Sequence, residues 1–236
     1  MSCSAPRSAW REVSAAPWIL ATRNAGKLRE LRALFADAGI DVIDLEQAGI
    51  EVTPEEDAIE VFDTFEENAV AKARYFGERA GGRTVVADDS GLEVLALQGE
   101  PGVRSRRWSG RTDLEGVALD AANNARLLVR LRGMSDLRAS FVCAAAWWGD
   151  GGSIVVRGEL RGYIVSEGVG SDGFGYDPHF FATELGGTLG SASVAEKQRV
   201  SHRGRAFRAL LDALRARRVG STMTKDVSLT RVGDGS

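Results

Sequence analysis

Two adjacent carboxylates, Asp88 and Asp89, stand in the run RTVVADDSG at 83–91, directly behind the apolar residues 84–87. Two nearby carboxylates repel, and one is driven towards protonation unless a cation compensates. For an intracellular site built from oxygen ligands, that cation is most commonly Mg2+. Side chains alternate along a strand, so only one of the pair need face a given site. A local reading also fits: Asp88 or Asp89 could cap the following turn through an Asx hydrogen bond.

Three further stretches carry chemistry-bearing residues. In TRNAGK (22–27), a short apolar run leads into a helix start, whose free amides attract anions, and Lys27 adds a positive charge there. The stretch lacks the glycine spacing and trailing hydroxyl of a P-loop, and a plain polar turn explains it equally well. In FGYDP (174–178), Phe174 and Tyr176 flank Gly175, and Asp177 precedes a proline that restricts its backbone. These rings are either a stacking platform for a planar base or core residues at a sheet edge. In EKQRVSHRGRA (196–206), Lys197, His202 and Arg203 lie close together as donors suited to phosphate or carbonyl oxygens. The alternative is a solvated basic helix start with Ser201 as its N-cap. An anion-binding helix start, a carboxylate fit for a metal, a stacking aromatic and a donor cluster together describe a nucleoside triphosphate site.

The elements that must position these groups read as α/β. PWILAT (17–22) is a short buried strand, 27–39 a helix with Leu28, Leu31, Leu34 and Phe35 on one face, and 41–45 a second strand. After an acidic, irregular stretch at 46–63, a T-x-x-E box at Thr64 and Glu67 opens the next helix. A strand at 83–87 reaches the Asp pair, and 91–97 extends the sheet. Residues 99–111 read as a basic, glycine-bearing loop. A second T-x-x-E signal predicts a helix over 112–131. Two strands follow around the turn GDGG, then a glycine-rich section without periodicity, a short helix at SVAEKQ and a terminal helix over 202–217. Residues 1–16 read as a flexible arm, 17–217 as one domain, and 218–236 as a disordered tail.

The chain has 236 residues with 44% hydrophobic and 27% charged, ordinary for a globular protein. A formal net charge of −3 argues against general attraction to nucleic acid. No run approaches the length needed to span a bilayer, and the start lacks the apolar stretch of a secretory signal. The two cysteines, Cys3 and Cys143, lie far apart and form no CxxC pair, which fits a reducing cytoplasm; Cys143 reads as a buried structural thiol.

ATRNAGKLREL (21–31), ADDSGLEV (87–94), PGVRSRRWSG (101–110), GFGYDPHFF (173–181) and EKQRVSHRGRAFRALLDAL (196–214) stand in an order that resembles the Ham1-like inosine/xanthosine triphosphate pyrophosphatases. The resemblance implies a long twisted mixed β-sheet flanked by helices, in two lobes with a nucleotide cleft between them. It implies hydrolysis of ITP, dITP and XTP to the monophosphate and pyrophosphate, dependence on Mg2+, and a homodimer. Carried over residue by residue, Thr22, Arg23, Asn24, Ala25, Gly26 and Lys27 would hold the phosphates, with Lys27 also acting in catalysis. Asp89 would be the catalytic carboxylate, binding metal or taking a proton from water, with Ser90 touching substrate beside it. Phe174 would stack on the base within a pocket shaped by Gly175, Tyr176 and Asp177. Lys197 would reach the triphosphate or base side, and His202 and Arg203 the 6-oxo edge. The family's E-E-T-G-x-T-F segment is replaced here by PEEDAIEVFD (54–63), so Glu56 is the candidate second metal ligand, with Glu55 or Glu60 as alternatives. Two other functions stay open: a related pyrophosphatase with another base preference, and a non-catalytic nucleotide-binding protein.

Overall fold

The computed structural model describes residues 16–226 apart from 151 and 172, with backbone alone over 218–226. The expected arm at 1–16 lies outside the described residues except for its last residue.

The chain opens as β1 (Trp18–Leu20), α1 (Ala25–Ala38) and β2 (Val42–Asp44). Asn24 starts α1 by accepting the Lys27 amide on its side chain, and Gly39, at φ 71°, stops it. After the acidic loop comes α2 (Phe65–Arg79), where the Thr64 hydroxyl accepts the Glu67 amide as the sequence box predicts. Then follow β3 (Val85–Val94), α3 (Gly116–Leu131), β4 (Arg138–Gly149), β5 (Gly152–Ile164), β6 (Phe180–Ala182), β7 (Gly187–Thr188), α4 (Val194–Val200) and α5 (His202–Asp226). The seven strands form one sheet in the order β2-β1-β3-β4-β5-β6-β7. β1 runs parallel to β2 and β3, and every later pairing is antiparallel, so the sheet is mixed.

Apolar side chains bury both faces of the β1 end. Trp18, Leu31, Phe35, Val86, Cys143 and Phe207 pack on the α1/α5 face, and Ile19, Phe65, Ala69, Phe76, Val85 and Ala87 on the α2 face. A third cluster, including Leu127, Phe141, Leu160 and Phe180, fills the β6 end. β3 and β4 run through both ends, paired residue for residue from Val85 opposite Trp148 to Val94 opposite Ala139.

Several sequence expectations change. The Asp pair does not end a strand; β3 passes straight through it, because its polar side chains find partners off the strand instead of turning the backbone. α3 begins at Gly116, without a side-chain cap, so Thr112 does not start it. The glycine-rich section, featureless by periodicity, supplies β6 and β7, which are too short to show a pattern. α5 continues to Asp226, so the expected tail at 218–236 falls partly on this helix and, from 227, outside the described residues. Cys143 is fully buried, as expected.

Candidate functional site

β1 is short. Leu20 stands opposite Val86, and the Ala21 amide reaches the Val86 carbonyl at 2.8 Å. Beyond that point β3 carries Asp88 and Asp89 past the carboxyl end of β1, where α/β sheets commonly leave a crevice. The alternation of the strand sends the two acids to opposite faces.

On the α1/α5 face, Asp88 Oδ2 takes Lys27 Nζ at 3.0 Å and Arg203 Nε at 3.2 Å. Burial alone would raise this carboxyl, but the Lys27, Arg203 and Lys72 charges outweigh it and hold Asp88 well below the usual carboxylate range. Arg203 also donates to Glu30 Oε2 at 2.6 Å and to Ser90 Oγ at 2.9 Å. It can approach because α5 lies directly on β5: a Cβ at Gly158 would stand 2.4 Å from the His202 carbonyl oxygen and the Ala206 nitrogen. The Ser201 hydroxyl accepts the Gly204 amide at 3.0 Å, which supports the N-cap reading.

On the α2 face, Asp89 Oδ2 accepts Asn68 Nδ2 at 2.9 Å and Oδ1 accepts the Ser90 amide at 2.8 Å. Burial, followed by the nearby negative charge of Glu60, pushes Asp89 up to about 6. Glu60 is ion-paired with Lys72, a buried residue one turn along α2 from Asn68. Burial opposes ionisation of both partners, yet their mutual attraction prevails: Glu60 is lowered and Lys72 raised. Asn68 also clasps the acidic loop, accepting the Phe62 amide at 3.0 Å and donating to the Phe62 carbonyl at 3.2 Å. Arg107, from the basic loop, donates to the Glu60 carbonyl at 3.1 Å.

These contacts sort the three candidate glutamates. Glu55 is exposed. Glu56 is held by Arg23 through two hydrogen bonds of 2.8 and 2.7 Å, so both of its carboxylate oxygens are engaged. Glu60 is the one whose charge bears on Asp89. Glu56 thus has its charge taken up by Arg23, while Glu60 lies nearer Asp89 in electrostatic terms. The same contact turns Arg23 towards the acidic loop. Among the described residues, no three His, Cys, Asp or Glu side chains converge as a metal-ligating group. Asp89 and Glu60, two acids close enough for one charge to raise the other, nonetheless suit a hard cation, which often takes one or two protein carboxylates and completes its shell from phosphates and water.

Facing the end of β1, Thr22 Oγ1 accepts the Asn24 amide at 3.2 Å, and Asn24 Oδ1 accepts the Lys27 amide at 3.1 Å. First-turn helix amides such as those of Ala25 and Gly26 lack acceptors within the helix. The Phe174 ring lies against Gly26: a Cβ there would stand 2.9 Å from two ring carbons. The Arg203 guanidinium lies 5.9 Å from the ring's other reference point, its centroid. Tyr176 behaves differently. It is buried in the β6-end cluster and donates its hydroxyl to the Ser105 carbonyl at 2.7 Å, so it is a core residue. Asp177 is buried and accepts Lys197 Nζ at 3.0 Å and the Phe174 amide at 3.3 Å. Burial raises its carboxyl despite the opposing Lys197 charge. The His202 ring stacks on Phe141 at 4.9 Å, and burial, reinforced by Arg203, lowers its basicity well below the usual imidazole range. Its Nδ1 is buried without a hydrogen-bond partner.

The structure therefore gathers Lys27, Asp88, Ser90 and Arg203 on one side of β3, and Asp89, Glu60, Lys72 and Asn68 on the other. Asn68, Lys72 and Glu30 are participants that sequence reasoning passed over. The first two stand four residues apart in ENAVAK, a helical spacing that puts both on one face. Glu30 gives no such signal, looking like any exposed helix acid.

Residues 18–213 match the Ham1 family. The chain is 50% identical over 201 residues to the dITP/XTP pyrophosphatase of Mycolicibacterium paratuberculosis, covering 84% of this chain and 95% of that protein. The Staphylococcus aureus Ham1 protein superposes with a TM-score of 0.72 at 36% identity, over 86% of this chain and all of that one. A HAM1 protein from Coxiella burnetii superposes equally well, at 0.72 and 33% identity, over 85% and 98% of the two chains. With residues 18–213 matching the family and half of the residues identical to a relative over most of both chains, this chain belongs to the Ham1 family.

Proposed function

We propose that this protein hydrolyses non-standard purine nucleoside triphosphates, dITP, ITP and XTP, to the monophosphate and pyrophosphate. The observation that carries the reading is the pair of acids just past the end of β1: Asp88, which fixes Lys27 of the α1 start, and buried Asp89 on the opposite face beside Asn68 and the Glu60 charge. The name of the Mycolicibacterium paratuberculosis relative points the same way. The nucleotide would occupy the crevice between the β1 and β6 ends. Its phosphates would lie on the first-turn amides of α1 and on Lys27, and its base on Phe174.

In the reaction a water oxygen forms a bond to the α-phosphorus and the bond to the β-phosphate oxygen breaks, releasing pyrophosphate. Asp89 would accept the water's proton as general base. Lys27 and Lys72 offset charge on the phosphate oxygens, so the chain contributes mainly position and electrostatics. Glu60 and Asp89 would hold Mg2+. When bound, the ion neutralises developing negative charge and acidifies a coordinated water. Asp88 does not meet substrate in this scheme; it fixes Lys27 and Arg203. A purine on Phe174 would face the donors of Arg203 and His202, which suit a 6-oxo group. A buried donor left unpaired against a 6-amino group costs about 1–3 kcal/mol, which disfavours adenine. Lys197, tied to Asp177, would steady the Phe174 turn from beneath and lend charge to the same side. We also read the protein as a cytoplasmic homodimer, from its cysteine usage and its family; no described helix is long and apolar enough to cross a membrane.

Pyrophosphate release from dITP, XTP, GTP, ATP and dUTP, with and without Mg2+, tests this reading. dITP and XTP should lead and require the ion. Preference for dUTP would move the base specificity elsewhere, and tight dITP binding without turnover would make the protein a binder. Glu60→Gln should raise the Mg2+ concentration needed for half-maximal rate by about ten-fold, while Glu56→Gln should leave it near wild type. The reverse order would return the metal to Glu56.

A further inference from the structure

The turn that carries Phe174 is flanked by two glycines at positive φ, Gly173 at 124° and Gly175 at 64°. Asp177 ties it from within, its Oδ2 accepting the Phe174 amide at 3.3 Å, and α3 ties it from outside. Asp120 Oδ2 accepts the Gly175 amide at 2.7 Å, and Asn124 Nδ2 donates to the Gly175 carbonyl at 2.9 Å. The two residues stand four apart on one helix face, so a single rigid element grips both polar groups of one residue. α3 is itself well anchored. Leu127 and Leu131 are buried in the β6-end cluster. Asn123 accepts the Ser109 amide at 2.6 Å and donates to the Arg106 carbonyl at 2.9 Å. Phe174 therefore leaves a backbone held on one flank by α3 and on the other by Asp177, and its ring is delivered onto Gly26.

We infer that Asp120 and Asn124 are positioning residues for base recognition: through Gly175 they aim the Phe174 ring, and so set affinity for the purine without touching the phosphates. The inference rests on the proposal that Phe174 stacks on a purine. It explains why two polar side chains of an otherwise ordinary amphipathic helix turn inward to a glycine. It also separates the crevice into a phosphate half, built on α1 and β3, and a base half adjusted from α3.

The test compares Asp120→Ala, Asp120→Asn, Asn124→Ala and Asn124→Asp in the full chain. Asn at 120 keeps a carbonyl oxygen to accept the Gly175 amide, whereas Asp at 124 loses the donor and sets an anion against a carbonyl. Hydrogen exchange at the Gly175 amide should be at least about ten-fold faster in Asp120→Ala and close to wild type in Asp120→Asn. KM for dITP should rise roughly ten-fold in Asp120→Ala, Asn124→Ala and Asn124→Asp, with kcat within about two-fold of wild type. The inhibition constant of inorganic tripolyphosphate, which has no base, should not move. Unchanged exchange at Gly175 in Asp120→Ala overturns the inference. So does a parallel loss of dITP and tripolyphosphate affinity, or an Asp120→Asn variant as impaired as Asp120→Ala. Should the wild-type protein fail to hydrolyse dITP, the proposed activity falls, and exchange together with equilibrium dITP binding still decides whether α3 aims the ring.

Discussion

Replacing Asp88 with Asn would remove the one anion that holds Lys27 and Arg203 together. Asp88 is fully buried, and its Oδ2 accepts Lys27 at 3.0 Å and Arg203 at 3.2 Å. Stripping one partner from a buried ion pair costs about 3–5 kcal/mol, because the remaining charge is left without compensation. Here the lower end applies. Glu30 continues to neutralise Arg203, with its oxygen 2.6 Å from the guanidinium, and the Lys27 side chain keeps 15% exposure. A loss of about 3 kcal/mol corresponds to a fall in Tm of roughly 6–12 °C for a domain of this size. Thermal unfolding followed by circular dichroism reads this directly at pH 7. The pH dependence supplies a second check. The folded-state carboxyl lies well below its ordinary value, so its contribution is complete above the unfolded value of about 3.9 and fades as pH falls below it. The gap between wild type and Asp88→Asn should therefore narrow progressively below about pH 4. Equal melting temperatures at pH 7, or a gap that widens on acidification, would refute the placement of Asp88 as a buried counter-ion.

Asp89→Asn should behave in the opposite sense. Its carboxyl is pushed from 3.8 up to about 6, so ionisation of Asp89 destabilises the fold above pH 6, and the penalty disappears below about pH 4. After allowing for one lost hydrogen bond to Asn68 or Ser90, the variant should be ~1–2 kcal/mol more stable at pH 7.5 and inactive, a pairing that denaturant titration and pyrophosphate assay would detect together. Phe174→Ala should raise KM for dITP by about ten-fold with little change in kcat, as expected for a loss of base stacking; an unchanged KM would remove the ring from the base site. Gly26→Ala, whose new methyl would press on the Phe174 ring, should shift KM the same way, and doubling it with Phe174→Ala should add little, since both act on one contact.

Much of the site is local enough to be written in short segments. The amides at the start of α1, the Lys27 charge and the Asn24 cap all arise within TRNAGK. The Thr64 cap, the Ser201 cap and the short helix α4 likewise depend on neighbours three or four residues away, and they appear where the sequence places them. Asp89 and Phe174 were also legible as candidates, because two acids in an apolar run and an aromatic between glycines are uncommon enough to notice.

What tertiary structure alone decided is which charges meet. Asp88 and Asp89 are neighbours in the chain, yet strand alternation gives one to Lys27 and Arg203 and the other to Asn68 and the neighbourhood of Glu60. Among three acids of the same loop, Arg23 captures Glu56, and Lys72, from α2, draws in Glu60, whose charge then bears on Asp89. Tyr176 and Phe174 look alike in FGYDP, but one is buried against Ser105 and the other lies on Gly26. The continuity of β3 was hidden for the same reason: Asp, Ser and Gly favour turns when they stand alone, and only partners brought from positions as distant as 203 allow them to remain extended. Local sequence sets caps, periodicity and the inventory of charged groups; the pairing of those groups depends on long-range packing, because a Coulomb interaction is governed by distance in space and by burial, neither of which a linear spacing contains.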